Sequence, residues 1–455
     1  MNSQFYHALK IDVNKCYGCT HCMMSCPTGA IRIREGLASI RKDWCVDCGE
    51  CMKACPVGAI YVEQDDFEKI FDFKYRIAIL PSVFIGQFSK VYSVAQITNG
   101  LYKIGFHEVV PSELSISYLK ETFLEYQDKP DAEKPLISPF CPAIVRLIQV
   151  KFPSLVENII ALKPPIDASA VLIRKITEDH GIAPKDIGIF YVTPCAAKIA
   201  TVKSPVGESQ SYVDGVINMD FLYNKVLQEL HAHQEEPLHE APIFTPDGLK
   251  WSLTNGEATH MKGRCLAIDE IHNVMKFLER LENGEIINVD FLELRACDHG
   301  CAGGVLMSEN RFLTVERMNR HADKMADQSN EIPDHDYYEP FIKEKLKVGT
   351  IEPRSMVKLH EDMETALKRM QRVRQLMCYL PGIDCGACGS PNCLSLAEDV
   401  VRNEAFLSNC VFIQRMMEKN RKLSNEHAFR IIEKTWGKDR LDKDCYKKGA
   451  KNEGI

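Results

Sequence analysis

From Phe71 to about Val348, compact apolar runs alternate with stretches whose apolar positions recur at helical spacing. Tyr75-Arg76-Ile77-Ala78-Ile79-Leu80, Ile187-Gly188-Ile189-Phe190-Tyr191-Val192 and Val289-Asp290-Phe291-Leu292-Glu293-Leu294 have the length and continuity of strands buried on both faces. The alternation predicts an α/β domain with parallel sheets over 71–350. Each run ends in, or shortly precedes, a turn rich in Pro, Gly or Cys, where open α/β sheets gather functional groups. Further on, Met363, Leu367, Met370, Val373 and Met377 recur at helical spacing up to a stop at Pro381-Gly382. This predicts a connecting helix over 351–377 with those residues in a core or interface. Val411, Phe412, Met416 and Met417 begin another amphipathic helix, and the lysine-rich segment 426–455 is predicted to be disordered.

Composition narrows the class. A chain of 455 residues is long enough for about three domains, and 45% apolar with 26% charged residues is ordinary for a globular protein. No apolar stretch approaches the ~18 residues of a membrane span, and Met1-Asn2-Ser3-Gln4-Phe5 has no basic region ahead of an apolar one, so a cytoplasmic protein without membrane contact is expected. A net charge of -7 gives no footprint for nucleic acid. The 19 cysteines change the picture, because most fall in tight clusters. In a reducing compartment that pattern points to metal rather than to disulfides.

Two copies of one unit open the chain: Cys16, Cys19, Cys22 and Cys26-Pro27, then Cys45, Cys48, Cys51 and Cys55-Pro56, with a period of 29. Three thiolates on a short loop can face one cube while the fourth, turned away at the proline, reaches the other. Cys16, Cys19, Cys22 and Cys55 are thus expected to hold one 4Fe-4S cluster, and Cys45, Cys48, Cys51 and Cys26 a second. Sulfur donors select iron-sulfur or zinc, and zinc sites lack this doubled run with its proline. The segment resembles bacterial two-cluster ferredoxins, which implies a small α+β domain over 1–70.

The next cysteines lie in Ser138-Pro139-Phe140-Cys141-Pro142, Thr193-Pro194-Cys195-Ala196-Ala197-Lys198 and Glu293-Leu294-Arg295-Ala296-Cys297-Asp298-His299-Gly300-Cys301-Ala302-Gly303-Gly304. In this order the three segments resemble the signatures of the iron-iron hydrogenase catalytic domain. The resemblance implies a two-lobed fold and an H-cluster, a 4Fe-4S cubane bridged to a two-iron subsite, held by Cys141, Cys195, Cys297 and Cys301, with Cys301 as the bridge. It also implies that Lys198 hydrogen-bonds a cyanide of the subsite, a charge-assisted bond to an anionic ligand. Several positions depart from the family. Phe140 stands where a proton-carrying cysteine is usual, Thr193 and Arg295 replace methionines, His299 replaces a glycine, and a run of three glycines is cut to Gly303-Gly304 before Val305. These departures resemble the divergent sensory branch. With Phe140 unable to carry a proton, a relay through Glu293, Glu257 and Tyr223 is expected, the alternative being that Glu293 only hydrogen-bonds backbone near the cluster and protons enter by water alone.

Cys385, Cys388 and Cys393, with Cys410 further on, resemble a small four-cysteine 4Fe-4S module over 378–425, the third accessory cluster. Its main alternative is zinc. Cys265, Cys378 and Cys445 are left without a role, and His231, His233 and His239 lie in a polar insert read as a solvated loop. Because the chain stops soon after the module, a signal would leave through a partner. The expected function is H2 ⇌ 2 H+ + 2 e-, slow and serving hydrogen sensing, with accessory clusters, a ferredoxin or signalling partner, and maturation enzymes for the subsite. The alternative is a catalytically silent iron-sulfur carrier or assembly protein.

Overall fold

The computed structural model describes residues 5–130, 133–232, 241–242, 244–325, 335–354, 359–360 and 362–438. The chain divides into two units: Met1–Leu9, Val46–Gly49 and Val62–Arg354 form one, and Lys10–Cys45, Glu50–Tyr61 and Ser355–Ile455 the other. The short piece Val46–Gly49 belongs to the first unit through Asp47. Its buried carboxylate accepts the N–H groups of Ala8 and Leu9 and pairs with His7 and Arg146.

The first unit is α/β with two parallel sheets. One has the strand order Glu108–Pro111, Tyr75–Leu80, Ile187–Thr193, Gly215–Asn218; the other has the order Cys265–Ile268, Phe291–Leu294, Leu136–Ile137. The three strands expected from apolar runs are all present. Ile187–Thr193 is buried at every position, which is what a run of β-branched and aromatic residues achieves when covered on both faces. Each such buried Ile, Val or Leu contributes about 1.5–3 kcal/mol relative to leaving it in water. Beneath the second sheet, Ile144, Leu147, Ile148, Val274, Leu278, Leu292 and Leu294 form one apolar cluster.

The second unit contains an antiparallel hairpin, Ile31–Arg34 with Leu37–Ile40. Its two turn residues, Glu35 at φ 54 and Gly36 at φ 77, are both left-handed, the geometry that suits a two-residue connection. Helices Met363–Met377, Cys393–Val401, Val411–Lys419 and Asn425–Trp436 complete it. The connecting helix expected over 351–377 forms only as Met363–Met377; Met363, Leu367 and Met370 are exposed and only its last turns, at Val373 and Leu376, enter a core shared with Leu396, Ala397 and Ile413. The expected disorder of the tail is overturned for Asn425–Trp436. Ser424 caps that helix, and the hairpin turn ties it down through Glu35 N–H to the Lys434 carbonyl and Gly36 N–H to the Thr435 carbonyl. Residues 439–455, including Cys445, lie outside the described residues, as do His233 and His239. His231 lies in the last turn of the helix Met219–Ala232. No described helix is long and apolar enough to cross a membrane.

Candidate functional site

Strand ends from both sheets deliver four thiols to one place. Cys141 follows Leu136–Ile137 and precedes a helix that starts at Pro142, whose missing N–H costs nothing in a first turn. Cys195 lies between the strand Ile187–Thr193 and the helix Ala196–Lys203, and Cys297 and Cys301 follow Phe291–Leu294. All four line a single cavity together with Phe140, Lys198, Arg295 and Cys48. The two glycines are needed for the loops to meet: a Cβ on Gly303 would stand 2.1 Å from the Asp298 carbonyl oxygen, and one on Gly304 2.6 Å from that of Pro194. Val305, where the family has a third glycine, sends its side chain over Gly49, whose Cβ would fall 2.4 Å from Val305 Cγ1. His299 takes a left-handed conformation, φ 59, which explains the usual glycine there, and its N–H donates to Asp269.

The Lys198 ammonium is buried, with Nζ 3.6 Å from Cys301 Sγ. Burial works against its charge, but the Cys301 sulfur and the Tyr191 oxygen outweigh it and hold the group well above the ordinary lysine range. Desolvation pushes the Cys195 thiol up to about 12 against the pull of Lys198. Thiols in such a setting ionise only when a metal takes the proton's place. Thr193 braces Cys195 by donating to its carbonyl and accepting its N–H.

Phe140 is buried between two cations, its ring centroid 4.6 Å from Lys198 Nζ and 3.7 Å from the Arg295 guanidinium. Arg295 Nη2 meets Glu257 Oε2 at 3.0 Å, and its Nε donates to Glu293 Oε1 at 3.2 Å. Glu293 also accepts the backbone N–H groups of Asn255, Glu257 and Ala258 at 2.8–2.9 Å, so its carboxylate has four donors and anchors the loop that carries Glu257. Ser138 Oγ donates to Glu257 Oε2 at 2.7 Å and accepts the Phe140 N–H. Burial, opposed by Arg295 and aided by Glu293, pushes the Glu257 carboxyl up to about 7. Glu257 Oε1 and Arg295 Nη1 are buried with no hydrogen-bond partner among the described residues. Of the three expected relay residues, Glu257 and Glu293 are brought together through Arg295. Tyr223 sits on another helix, its ring 4.8 Å from that of Phe88.

The sequence reading missed the part Arg295 plays. The signal was present: Glu293 and Arg295 are two apart at the end of a strand and therefore share a face.

In the second unit, burial first and then the charges of Cys19, Cys16 and Cys55 push Cys22 up to about 12, and burial followed by the charge of Cys26 raises Cys51. Cys388 likewise feels Cys410 and Cys385, while Cys393 shares its apolar cluster. Cys265 is partly exposed and Cys378 exposed.

Three stretches match family models: residues 15–60 a 4Fe-4S dicluster domain, residues 74–243 the iron only hydrogenase large subunit, C-terminal domain, and residues 380–412 a putative Fe-S cluster. No curated protein matches the chain. Among solved structures, one of an FeFe-hydrogenase whose H cluster is modified by oxygen is 16% identical, covers 62% of this chain and 94% of its own, and has a TM-score of 0.46. The FeFe-hydrogenase HydA1 from Chlamydomonas reinhardtii gives 16%, 62%, 94% and 0.44. A third, of HydA(deltaEFG), described for stepwise H-cluster assembly, gives 15%, 64%, 97% and 0.42. The chain thus carries a hydrogenase-like domain over 74–243, with segments of 4Fe-4S type before and after it.

Proposed function

We propose that the chain exchanges H2 with protons and electrons at an H-cluster held by Cys141, Cys195, Cys297 and Cys301, at the low turnover of a hydrogen sensor. The observation that carries the reading is the convergence of four thiols from three strand ends on one cavity, with the Lys198 ammonium beside Cys301. The donor set is soft and tetrahedral in number, as a 4Fe-4S cubane requires. The partnerless Nη1 of Arg295, in a side chain that feels Cys141 and Cys301, supplies a donor for a cluster sulfide. When bound, the group supplies H2 cleavage and the uptake of electrons. Lys198 supplies a fixed positive charge that orients an anionic ligand at Cys301.

Phe140 holds no proton, so release falls to Glu257, whose carboxyl, raised toward neutrality, can take a proton at Oε1. Glu293 positions that residue by holding its backbone N–H. Electrons would pass through the three accessory clusters to a ferredoxin or signalling partner.

One observation favours a second reading, a catalytically silent iron-sulfur carrier: Phe140 is clamped between Lys198 and Arg295, which gives both cations a partner without any subsite. Infrared spectra of protein made with the dedicated maturation enzymes separate the two. Bands of metal-bound CO and cyanide, lost in Lys198→Asn at unchanged cubane iron, support the hydrogenase; their absence from the wild type leaves the silent carrier.

A further inference from the structure

Within the second unit, the loop Cys385-Gly386-Ala387-Cys388 lies on the methionine that follows Cys22. A Cβ on Gly386 would stand 2.9 Å from Met23 Cε and 3.3 Å from Met24 Sδ. Met23 is fully buried, so its side chain lies between Gly386 and the backbone next to Cys22. That seat is fixed from several sides. Ile33 N–H and Arg34 Nη1 both donate to the Gly389 carbonyl, at 2.9 and 2.7 Å, and Trp436 Nε1 donates to the Ala387 carbonyl at 3.0 Å. Behind the loop, the wholly buried carboxylate of Asp399 accepts Arg32 Nε at 2.6 Å and Nη2 at 3.0 Å, Arg41 Nη2 at 2.8 Å, Arg34 Nη2 at 3.3 Å and Ser390 Oγ at 2.8 Å. Three arginines from the hairpin region thereby grip the helix Cys393–Val401 through one residue.

We propose that the cluster of Cys385, Cys388, Cys393 and Cys410 trades electrons with the cluster of Cys16, Cys19, Cys22 and Cys55 across Met23, and that the Asp399 clamp holds the two at tunnelling distance. This rests on the reading that both quartets hold 4Fe-4S clusters. Tunnelling falls off exponentially with separation, so a rigid seat of close contacts is what fast exchange needs. In the step, a reduced cubane gives up one electron and returns to its oxidised charge while the other takes that electron; no bond or proton moves. Arg34, whose guanidinium lies against the Cys388 and Gly389 carbonyls, adds positive charge beside the C-terminal cubane and so favours its reduced form.

The test is electron paramagnetic resonance of the full chain under graded reduction, with iron and zinc counted first. At full reduction the cubane of Cys16, Cys19, Cys22 and Cys55 already interacts with its neighbour in the doubled N-terminal unit, so the reference is Cys388→Ser, which removes the C-terminal cubane alone. Broadening or splitting in wild type beyond that of Cys388→Ser is expected, and it fades when the C-terminal cubane is oxidised. In Arg34→Gln the C-terminal cubane alone shifts to a lower potential. A fully reduced wild-type spectrum equal to that of Cys388→Ser plus one isolated cubane signal, at full loading, overturns the wiring. Zinc in place of iron in either quartet overturns the cluster reading beneath it, and the metal count tells the two failures apart.

Discussion

The Arg295 guanidinium that lies 3.7 Å from the centroid of Phe140 is also the cation that faces Glu257 and Glu293. A desolvated cation over an aromatic face is worth about 2 kcal/mol, so the ring is held in the place where a proton carrier would stand.

Replacing that ring with a thiol, Phe140→Cys, supplies a titratable group at the cavity wall. Hydrogen oxidation per loaded subsite is expected to rise tenfold or more, about 1.4 kcal/mol in barrier. Loading is to be equalised by infrared intensity. A rate no higher than wild type would show that proton delivery does not limit turnover.

Arg295→Met strands two buried carboxylates. Loss of one partner from a buried ionic group costs about 3–5 kcal/mol, and Glu257→Gln in the same chain should return part of it, because residues in one network are not additive. Denaturant midpoints of the two singles and the double measure the coupling. At matched loading, Glu257→Gln should lower hydrogen oxidation at least tenfold, whereas Glu293→Gln should act mainly on stability. Equal activity in Glu257→Gln and wild type would remove the relay role.

Asp167 provides a pH dependence away from the cysteines. Burial, with the charge of Glu208, pushes its carboxyl up to about 7 from 3.8, against the pull of Lys163 and a hydrogen bond from Ser211. Below pH about 4 the group is protonated folded and unfolded. Between about 4 and 7 only the folded chain keeps the proton, so stability is lost as pH rises through this window and levels off above it. Thermal midpoints at pH 5 and 7.5 should therefore differ less in Asp167→Asn than in wild type. Identical differences would mean that Asp167 does not titrate in that range.

Asp399 works in the opposite sense. Burial alone would raise its pKa, but Arg32 and Arg41 hold the carboxyl below the usual carboxylate range. Asp399→Asn leaves three buried or half-buried arginines around a neutral amide, a loss of about 3–5 kcal/mol. Iron bound by the C-terminal quartet should fall while the cavity of Cys141, Cys195, Cys297 and Cys301 loads normally. Full iron retention would show that the module folds without its clamp.

What could be read in the sequence divides along physical lines. Cysteine spacing fixes ligand geometry within a few residues, so the grouping of Cys16, Cys19 and Cys22 needed no fold; Cys55, far along the chain, entered through the doubled pattern with its proline, and it does lie close enough to act on Cys22. Continuous apolar runs fix buried parallel strands, and Ile187–Thr193 followed from that alone. The clamp on Phe140 depends instead on three loops meeting, and nothing local to Phe140 announces Arg295 or Lys198. Glu293, a carboxylate near a ligand, left two readings open, a proton carrier or a group that only hydrogen-bonds backbone. Its four donors come from residues up to 38 positions away, and only the folded loop Asn255–Ala258 makes it an anchor. The helix Asn425–Trp436 was hidden by a charged composition that says nothing of the backbone bonds pinning it to the hairpin.

The fit of Val305 over Gly49 makes position 49 a doubly closed one. A Cβ there would fall 2.4 Å from Val305 Cγ1, so the valine would have to turn away, and the φ of +84 would strain any L side chain even with the valine gone. Trimming Val305 to alanine therefore relieves only one of the two constraints, and Gly49→Ala stays unfavourable in either background.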